Sequence, residues 1–242
     1  MILTAVLRRV STASGRHRDR RYSPGKVGSF IPVETPLVSM KRSLQEHASR
    51  FDEKAPEYDA NKSEEYRTTV SLVVDHADPG ATETVLDLGT GTGAIALALA
   101  SDAGTVVGRD ISGGMLEEAR SKAADRDLDN VAFGEGRFRQ PNVDQSVDVV
   151  TTNFAMHHLS DDEKREAIET IADLEPRRFV LGDVMFFGQP DPEEPFYSPA
   201  VDDPATVGHL LDVLTEAGFA VTVADRLHDQ VGVIASEYRN ER

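Results

Sequence analysis

The run Val85-Leu86-Asp87-Leu88-Gly89-Thr90-Gly91-Thr92-Gly93 carries the densest signal in this 242-residue chain. It opens as a short apolar run of strand length, and a helix-length stretch, Ile95–Ser101, follows it. Three alternating glycines stand between them. Glycine permits positive φ and lets a ligand touch the backbone. A strand that ends in such a turn at the carboxyl edge of a sheet is where doubly wound α/β folds bind ligands. The next apolar run, Thr105–Asp110, ends in a carboxylate seventeen residues past Gly93. An acid at the tip of a second strand can accept both hydroxyls of a ribose, so Asp110 implies an adenosine-containing cofactor. Asp110 could instead be a plain strand-end acid ahead of a helix capped by Ser112.

Two cofactor classes share this layout. Nicotinamide enzymes use Gly-x-Gly-x-x-Gly, whereas the spacing here is Gly-x-Gly-x-Gly with Asp87 two residues before the first glycine. A carboxylate at that point repels a pyrophosphate and suits a ligand carrying an ammonium and a sulfonium. The comparison favours S-adenosylmethionine and leaves a nicotinamide-dependent oxidoreductase as the weaker alternative.

Outward from this run, helices and strands alternate. Residues 41–55 and 62–77 read as helices, with Asp78-Pro79-Gly80 as the stop. After the second strand come a helix over Gly114–Asp125, strands at Val131–Phe133 and Val147–Thr152, a helix over Asp161–Asp173 and a strand at Arg178–Met185. A Pro-rich loop, Gln189–Pro199, leads to a helix over Thr206–Gly218 and strands at Ala220–Ala224 and Gln230–Ala235. Helices between strands predict βαβ units, and so a doubly wound, mainly parallel, seven-stranded α/β sheet of Rossmann-like type. The short link between the last two strands predicts an antiparallel pair at one sheet edge.

These motifs resemble those of class I S-adenosylmethionine-dependent methyltransferases. Val85–Gly93 is similar to their first motif and Val106-Val107-Gly108-Arg109-Asp110-Ile111-Ser112 to their second. Ser146-Val147-Asp148-Val149-Val150-Thr151-Thr152-Asn153-Phe154-Ala155-Met156-His157-His158-Leu159 resembles the fourth-strand block of members that act on small molecules. Phe51–Asp59 looks like a common lead-in, and Glu216-Ala217-Gly218-Phe219 like a late helix-to-strand junction. The resemblance implies that Gly89, Gly91 and Gly93 approach the methionine part and ribose, with Thr90 and Thr92 nearby and Asp87 at the amino-acid end. It implies that Asp110 holds the ribose, that Ile111 and Met115 flank adenine, and that Asn153 and Phe154 lie near the methyl group. Where members place an Asp that reads the adenine amino group, this chain has Gly136-Arg137-Phe138. Arginine cannot accept that hydrogen bond. Glu135 or Phe138 is expected to take over the adenine contact, and Arg109 is expected to face solvent.

Methyl transfer from a sulfonium needs a general base only when the acceptor is protonated. His157 and His158 are the candidates, expected to face the acceptor; the bland reading is structural packing. No metal site is expected, since adjacent histidines seldom converge and no third ligand is evident. Tyr58 is a candidate cover for the cofactor. A lid is expected from 52–66 and 186–204, with Phe186, Phe187, Phe196 and Tyr197 as its apolar surface or as loop anchors. Asp191, Glu193, Glu194, Asp202 and Asp203 read as a solvated face.

Composition narrows the partners. The absence of cysteine excludes disulfides, thiolate metal sites and a cysteine nucleophile. No apolar run is long enough to span a membrane as a helix. The net charge of −16 argues against nucleic acid and anionic lipid. Asn153-Phe154-Ala155-Met156 also lacks the Pro-containing motif of many enzymes that methylate amino groups of nucleic acids or protein glutamine. A small-molecule acceptor and a cytoplasmic protein are therefore expected; a non-catalytic S-adenosylmethionine-binding protein is the alternative. Charge is uneven: residues 1–39 hold seven basic and two acidic residues, while the remaining 203 hold 19 and 40. The lysine-poor acidic body reads as halophilic. The basic stretch reads as a disordered arm, a targeting peptide or sequence upstream of a natural start at Met40, and residues 40–242 as the methyltransferase domain.

Overall fold

In the central strand β1 (Thr84–Leu88), successive side chains go to opposite faces, and both faces are apolar. Val85 joins one buried cluster and Leu86 and Leu88 the other. A strand buried on both sides is what a parallel sheet covered by helices requires. The same division runs through β2 (Thr105–Asp110), β4 (Val149–Asn153) and β5 (Arg178–Val184): Val106, Val149 and Val180 fall on one side, Val107, Val150, Phe179 and Leu181 on the other. These features come from a computed structural model that describes residues 43–60, 62–189 and 193–239. The basic stretch 1–39 lies outside the described residues.

Helices α1 (Leu44–Lys54) and α2 (Glu64–Ala77) precede the sheet, with a 3-10 turn, Ala55–Glu57, between them. Helix α3 (Ala94–Leu99) follows β1, α4 (Gly113–Asp125) follows β2, and β3 (Val131–Glu135) forms one edge. Helix α5 (Asp161–Ala172) links β4 to β5, and α6 (Val207–Glu216) leads to β6 (Phe219–His228) and β7 (Val231–Tyr238). Strand order is β3-β2-β1-β4-β5-β7-β6, as expected for a doubly wound α/β sheet. Strands β1 to β5 pair in parallel; β7 runs antiparallel to both β5 and β6, so the reversed strand sits one place in from the edge.

Helix starts follow local chemistry. Ser43 and Ser160 each form a reciprocal capping box with Glu46 and Glu163, satisfying backbone donors that a helix leaves open. Strands β6 and β7 are longer than the sequence pattern implied. The stretch expected as their link is mostly strand, because Asp225 and Arg226 belong to a half-exposed edge where polar side chains face out.

Candidate active site

One cavity of about 370 Å³ opens at the carboxyl ends of β1, β2 and β4. Its walls come from both sides of the β1–β4 pair. That is the point where strand order reverses, where doubly wound sheets leave a crevice.

The β1 turn builds one side. Gly89 takes φ +67°, and a Cβ there would stand 2.5 Å from the Cβ of Ala155. Only glycine lets the β1 turn pass under the end of β4. At Gly91 the nearest atom to a built Cβ is a Tyr58 ring carbon at 3.8 Å, so this backbone faces open space. Gly93 behaves differently. A Cβ there would meet Phe133, Leu97 and Ala119 at 3.1–3.3 Å, so this glycine packs α3 and α4 against the sheet. Thr92 also turns inward and donates from Oγ1 to Asp59 Oδ1 at 2.7 Å.

Two carboxylates hold the turn. Asp87 is buried; its Oδ2 accepts from Thr90 Oγ1 at 2.6 Å and its Oδ1 from Thr151 Oγ1 at 2.8 Å. Burial pushes its carboxyl up to about 6 despite these bonds. Asp110 lies at the tip of β2 and lines the cavity. Its Oδ2 accepts from the Gly91 N–H at 2.8 Å and its Oδ1 from the Ser112 N–H at 2.9 Å, while burial pushes its carboxyl up. The Ile111 N–H also bonds this carboxylate, which leaves it acceptor capacity for a ligand hydroxyl.

The N-terminal segment staples itself onto this side. Asp52 Oδ1 accepts from Ser112 Oγ at 2.6 Å and from the Gly114 N–H at 2.9 Å, which places a carboxylate at the start of α4. Asp59 pairs with Lys122 as well as Thr92. The Lys62 ammonium lies 3.1 Å from the ring centre of Tyr58 and 3.7 Å from that of Tyr66. Both tyrosines line the cavity. Burial pushes Lys62 down to about 7 and Tyr58 up to about 12.

The β4 end builds the other side. Asn153 is buried, and among the described residues neither its amide oxygen nor its nitrogen has a hydrogen-bond partner. Phe154 follows with φ +50°, uncommon for a residue with a Cβ and a mark of strain held by its surroundings. His158 lines the cavity and His157 does not. His157 Nδ1 lies 2.5 Å from Asp183 Oδ1, and its backbone N–H donates to Asp183 Oδ2 at 3.0 Å. His158 Nδ1 lies 2.7 Å from Asp202 Oδ1. Burial pushes His158 down to about 4, whereas for His157 burial is outweighed by Asp183 and the imidazole rises.

The matching proteins can now be set beside this geometry. The family described as "Methyltransferase domain" matches residues 85–175. The chain is 30% identical over 201 residues to an uncharacterized methyltransferase, GWCH70_2477, of Geobacillus sp. (strain WCH70), covering 76% of this chain and 91% of that protein. The chain belongs to the class I S-adenosylmethionine-dependent methyltransferases. It is also 34% identical over 117 residues to the uncharacterized methyltransferase YcgJ of Bacillus subtilis (strain 168), a match that takes in 47% of this chain and only 46% of YcgJ. The solved DhpI–SAH complex shares the fold, with a TM-score of 0.64 at 21% identity over 82% of this chain and 98% of that one.

The residues present in this methyltransferase fit its cofactor. The backbone at Gly91 is open, Asp110 stands at the β2 tip, Ile111 and Met115 give apolar walls, and the Asn153 amide is unpartnered. Of the residues singled out from sequence, Asp87, Gly89, Thr90, Gly91, Asp110, Ile111, Met115, Arg137, Phe138 and Asn153 line the cavity; Thr92 and Gly93 do not. Phe138 reaches it and Glu135 does not, while Arg137 donates to Gln140 Oε1 at 2.7 Å. Arg109 does not simply face solvent: its Nε and Nη2 donate to the Asn142 carbonyl at 3.1 and 2.9 Å.

The acidic face also needs correcting. The side chain of Asp202 is only 6% exposed and holds His158, so it is part of the site. With His157 and His158 it forms a group whose ligand atoms lie within 4.8 Å of one another, the third member that the sequence did not reveal. Phe186, Phe187, Phe196 and Tyr197 line no part of the cavity; Phe187 covers Gly232 and Phe196 packs on His228. The described residues of 186–204 contribute a carboxylate to the site and no aromatic lid, and Asp191 lies outside the described residues. Sequence reasoning also missed Asp52, Asp59, Lys62, Tyr66 and Asp183. Asp52 and Asp59 lie in the lead-in, so that motif was the available signal.

Proposed function

We propose that this methyltransferase moves the methyl group of S-adenosylmethionine to a small-molecule acceptor by in-line displacement. The observation that carries the reading is continuity: one cavity joins Asp110, Ile111 and Met115 to Asn153, Phe154 and His158. At about 370 Å³ it is near the low end for small-molecule sites, so an acceptor sharing it with the cofactor must be small. When bound, the cofactor supplies a methyl group on a positively charged sulfur, an excellent leaving group. The protein's part is to hold the two reactants in line and to exclude water, which is worth up to about 7–11 kcal/mol. Asp110 fixes the ribose, Gly89, Thr90 and Gly91 hold the methionine part, and Ile111, Met115 and Phe138 enclose the adenine beside Arg137. Asn153 borders the methyl group. The buried Asp87, which also lines the cavity, holds Thr90 and Thr151 in place beside the methionine part. The net charge of −16 supports an acceptor other than nucleic acid, and the reading carries a cytoplasmic location with it. Among the described residues no helix is long and apolar enough to cross a membrane.

Isothermal titration with S-adenosylmethionine and its demethylated product tests the reading. Both should bind, and Asp110→Ala should weaken binding by at least ~1 kcal/mol, about fivefold, because hydrogen bonds to a charged acceptor are lost. Absence of binding by the wild-type chain overturns the proposal, and unchanged affinity in the variant overturns the role of Asp110.

A further inference from the structure

We propose that His158, held by Asp202, is the general base that takes a proton from a hydroxyl-bearing acceptor during methyl transfer. This rests on the methyltransferase reading above and adds the class of acceptor to it.

A carboxylate only accepts, so the 2.7 Å contact with Asp202 places the proton of a neutral imidazole on Nδ1 of His158. Nε2 is then the bare lone pair. Among the described residues nothing hydrogen-bonds that nitrogen, although His158 lines the cavity. Burial lowers the imidazole to about 4 against the opposing pull of Asp202, so the ring starts neutral, as a base must, but accepts a proton less readily than a free histidine. The same aspartate that fixes the tautomer stabilises the imidazolium once the proton arrives.

The pair is built rather than incidental. Asp202 Oδ2 accepts from the Ser198 N–H at 2.7 Å. The Asp203 N–H donates to the His157 carbonyl at 2.6 Å, which ties the loop carrying Asp202 to the turn carrying His158. The Lys164 side chain, only 2% exposed, donates to the carbonyls of both Leu159 and Asp203. A buried lysine is costly unless it is fully hydrogen-bonded, and here its bonds fix the relative position of the two partners. Among the described residues, the other titratable groups packed against or acting on His158 are His47 of α1, His157 and Asp183, which engages His157.

The acceptor class follows from what a base is for. An unprotonated amine or a thiolate attacks without first giving up a proton; a neutral hydroxyl does not. The cavity is lined by Leu44, Phe51, Phe154 and Leu159 together with the polar Ser43, His47, Arg139 and Glu163, and the Phe51 ring lies 5.5 Å from that of His158, so the hydroxyl sits on a small, ring-bearing molecule that is apolar in part. In the step, the hydroxyl oxygen forms its bond to the methyl carbon as its proton passes to Nε2. The methyl–sulfur bond breaks with its electron pair going to sulfur, leaving a neutral thioether and a protonated His158. Asp202 is a positioning residue, since it touches His158 and not the acceptor. A divalent cation bridging His157, His158 and Asp202 is the competing occupant of the same groups. It would have to displace the proton now shared at 2.7 Å.

The test uses the full chain with carbon-13-methyl S-adenosylmethionine, catechol, 4-nitrophenol and a small-molecule extract of the source cells. The carbon-13 shift of the transferred methyl tells oxygen from nitrogen, sulfur or carbon. Label is expected on oxygen. His158→Gln should lower kcat by roughly 10²–10⁴-fold with little change in affinity for the demethylated cofactor. Asp202→Asn should lower kcat by at least about tenfold at unchanged cofactor KM. It should also mix the two His158 tautomers seen by nitrogen-15 NMR, a signature that a merely structural aspartate would not give. Several results overturn the proposal while leaving the methyltransferase reading intact. They are label on nitrogen, sulfur or carbon, no labelled product from a chain that binds the demethylated cofactor, and full kcat in His158→Gln. Activity abolished by a chelator and restored by magnesium or zinc overturns it in favour of the cation. Failure of the wild-type chain to bind the demethylated cofactor overturns both readings together.

Discussion

At the β1–β2 end of the cavity, carboxylates are held by hydroxyls and backbone N–H groups; at the β4–β5 end, imidazoles are held by carboxylates. The first arrangement has two groups brought toward neutrality by burial, Asp87 pushed up to about 6 and Lys62 pushed down to about 7. The second places two histidines with rings 4.0 Å apart and shifts them in opposite directions. One end is suited to gripping an adenosine cofactor through fixed carboxylates and backbone. The other is suited to moving a proton. The difference lies in the groups presented by the turns that follow β1 and β4 and by the loop that carries Asp202.

The largest effect is expected where backbone geometry alone decides. Gly89→Ala places a Cβ at 2.5 Å from the Ala155 Cβ in a left-handed conformation. Steric overlap and the disfavoured φ together should cost about 3 kcal/mol of stability. Gly91→Ala meets nothing closer than 3.8 Å, so only the conformational cost of about 1 kcal/mol applies, yet its methyl enters the cofactor space. Urea denaturation and calorimetry on the two variants should therefore dissociate: the first loses stability most, the second loses cofactor affinity most. Equal behaviour would show that the two glycines do not have separate duties.

Next comes Asp87→Ala. It strips the acceptor from two buried hydroxyls, Thr90 and Thr151, which bridge the β1 turn to β4. Unsatisfied buried donors cost about 1–3 kcal/mol, so a loss of about 2 kcal/mol is expected in denaturant unfolding. A loss of cofactor affinity with no loss of stability would instead place the Asp87 carboxylate against the ligand, as the family resemblance implied.

How far the two ends could be read from sequence follows from the same contrast. The β1–β2 end has a local kernel: Asp110 reaches Gly91 across 19 residues, and the strand-turn-helix pattern announces both, although the bonds from Thr151 to Asp87 and from Ser112 to Asp52 span 64 and 60 residues. Even so, the pattern could not say that Gly91 faces the cavity while Gly93 packs on Phe133, because both glycines are equally permissive as letters. The β4–β5 end depends on pairings across 26 and 44 residues. Asp202 lies in a loop rich in acids, and nothing local separates it from Asp203 or Glu194. Its burial is decided by Lys164 and by the bond from Asp203 to His157, which are tertiary facts. The seven strands were legible because apolar runs and turn signals coincide. The ends of β6 were not, since an exposed edge strand carries the polar residues that also mark loops.

The pH dependence of stability should separate the ends again. The folded pKa of His158, at about 4, lies below its ordinary value of 6.5. For such a group the unfolded chain binds the proton first. Its contribution is complete above 6.5 and is lost as pH falls toward 4. His157 has the opposite sign: its raised pKa gives stability that is complete below 6.5 and is lost as pH rises through the folded value. Replacing His158 by Gln should remove a loss on the order of 2 kcal/mol between neutral pH and pH 4, leaving the His157 contribution of opposite slope in view. Denaturation midpoints at several pH values check this. Parallel wild-type and variant curves would mean that His158 is as solvated when folded as when unfolded.

The smallest effect belongs to the staple over the cofactor end. Asp59 receives Thr92 Oγ1 at 2.7 Å and pairs with Lys122, but its side chain is 49% exposed. A half-exposed ion pair is screened by water and salt, so Asp59→Asn should cost no more than about 1 kcal/mol of stability, and less in concentrated salt. Its effect on the cofactor should be as modest, because Asp59 acts on Gly91 only through Tyr58 and the Thr92 turn. A twofold to fivefold weakening of cofactor binding, with no change at the His158 end, is the expected result. A change in kcat at saturating cofactor would contradict it: the staple would then reach across to the acceptor side, and the two ends of the cavity would not be independent.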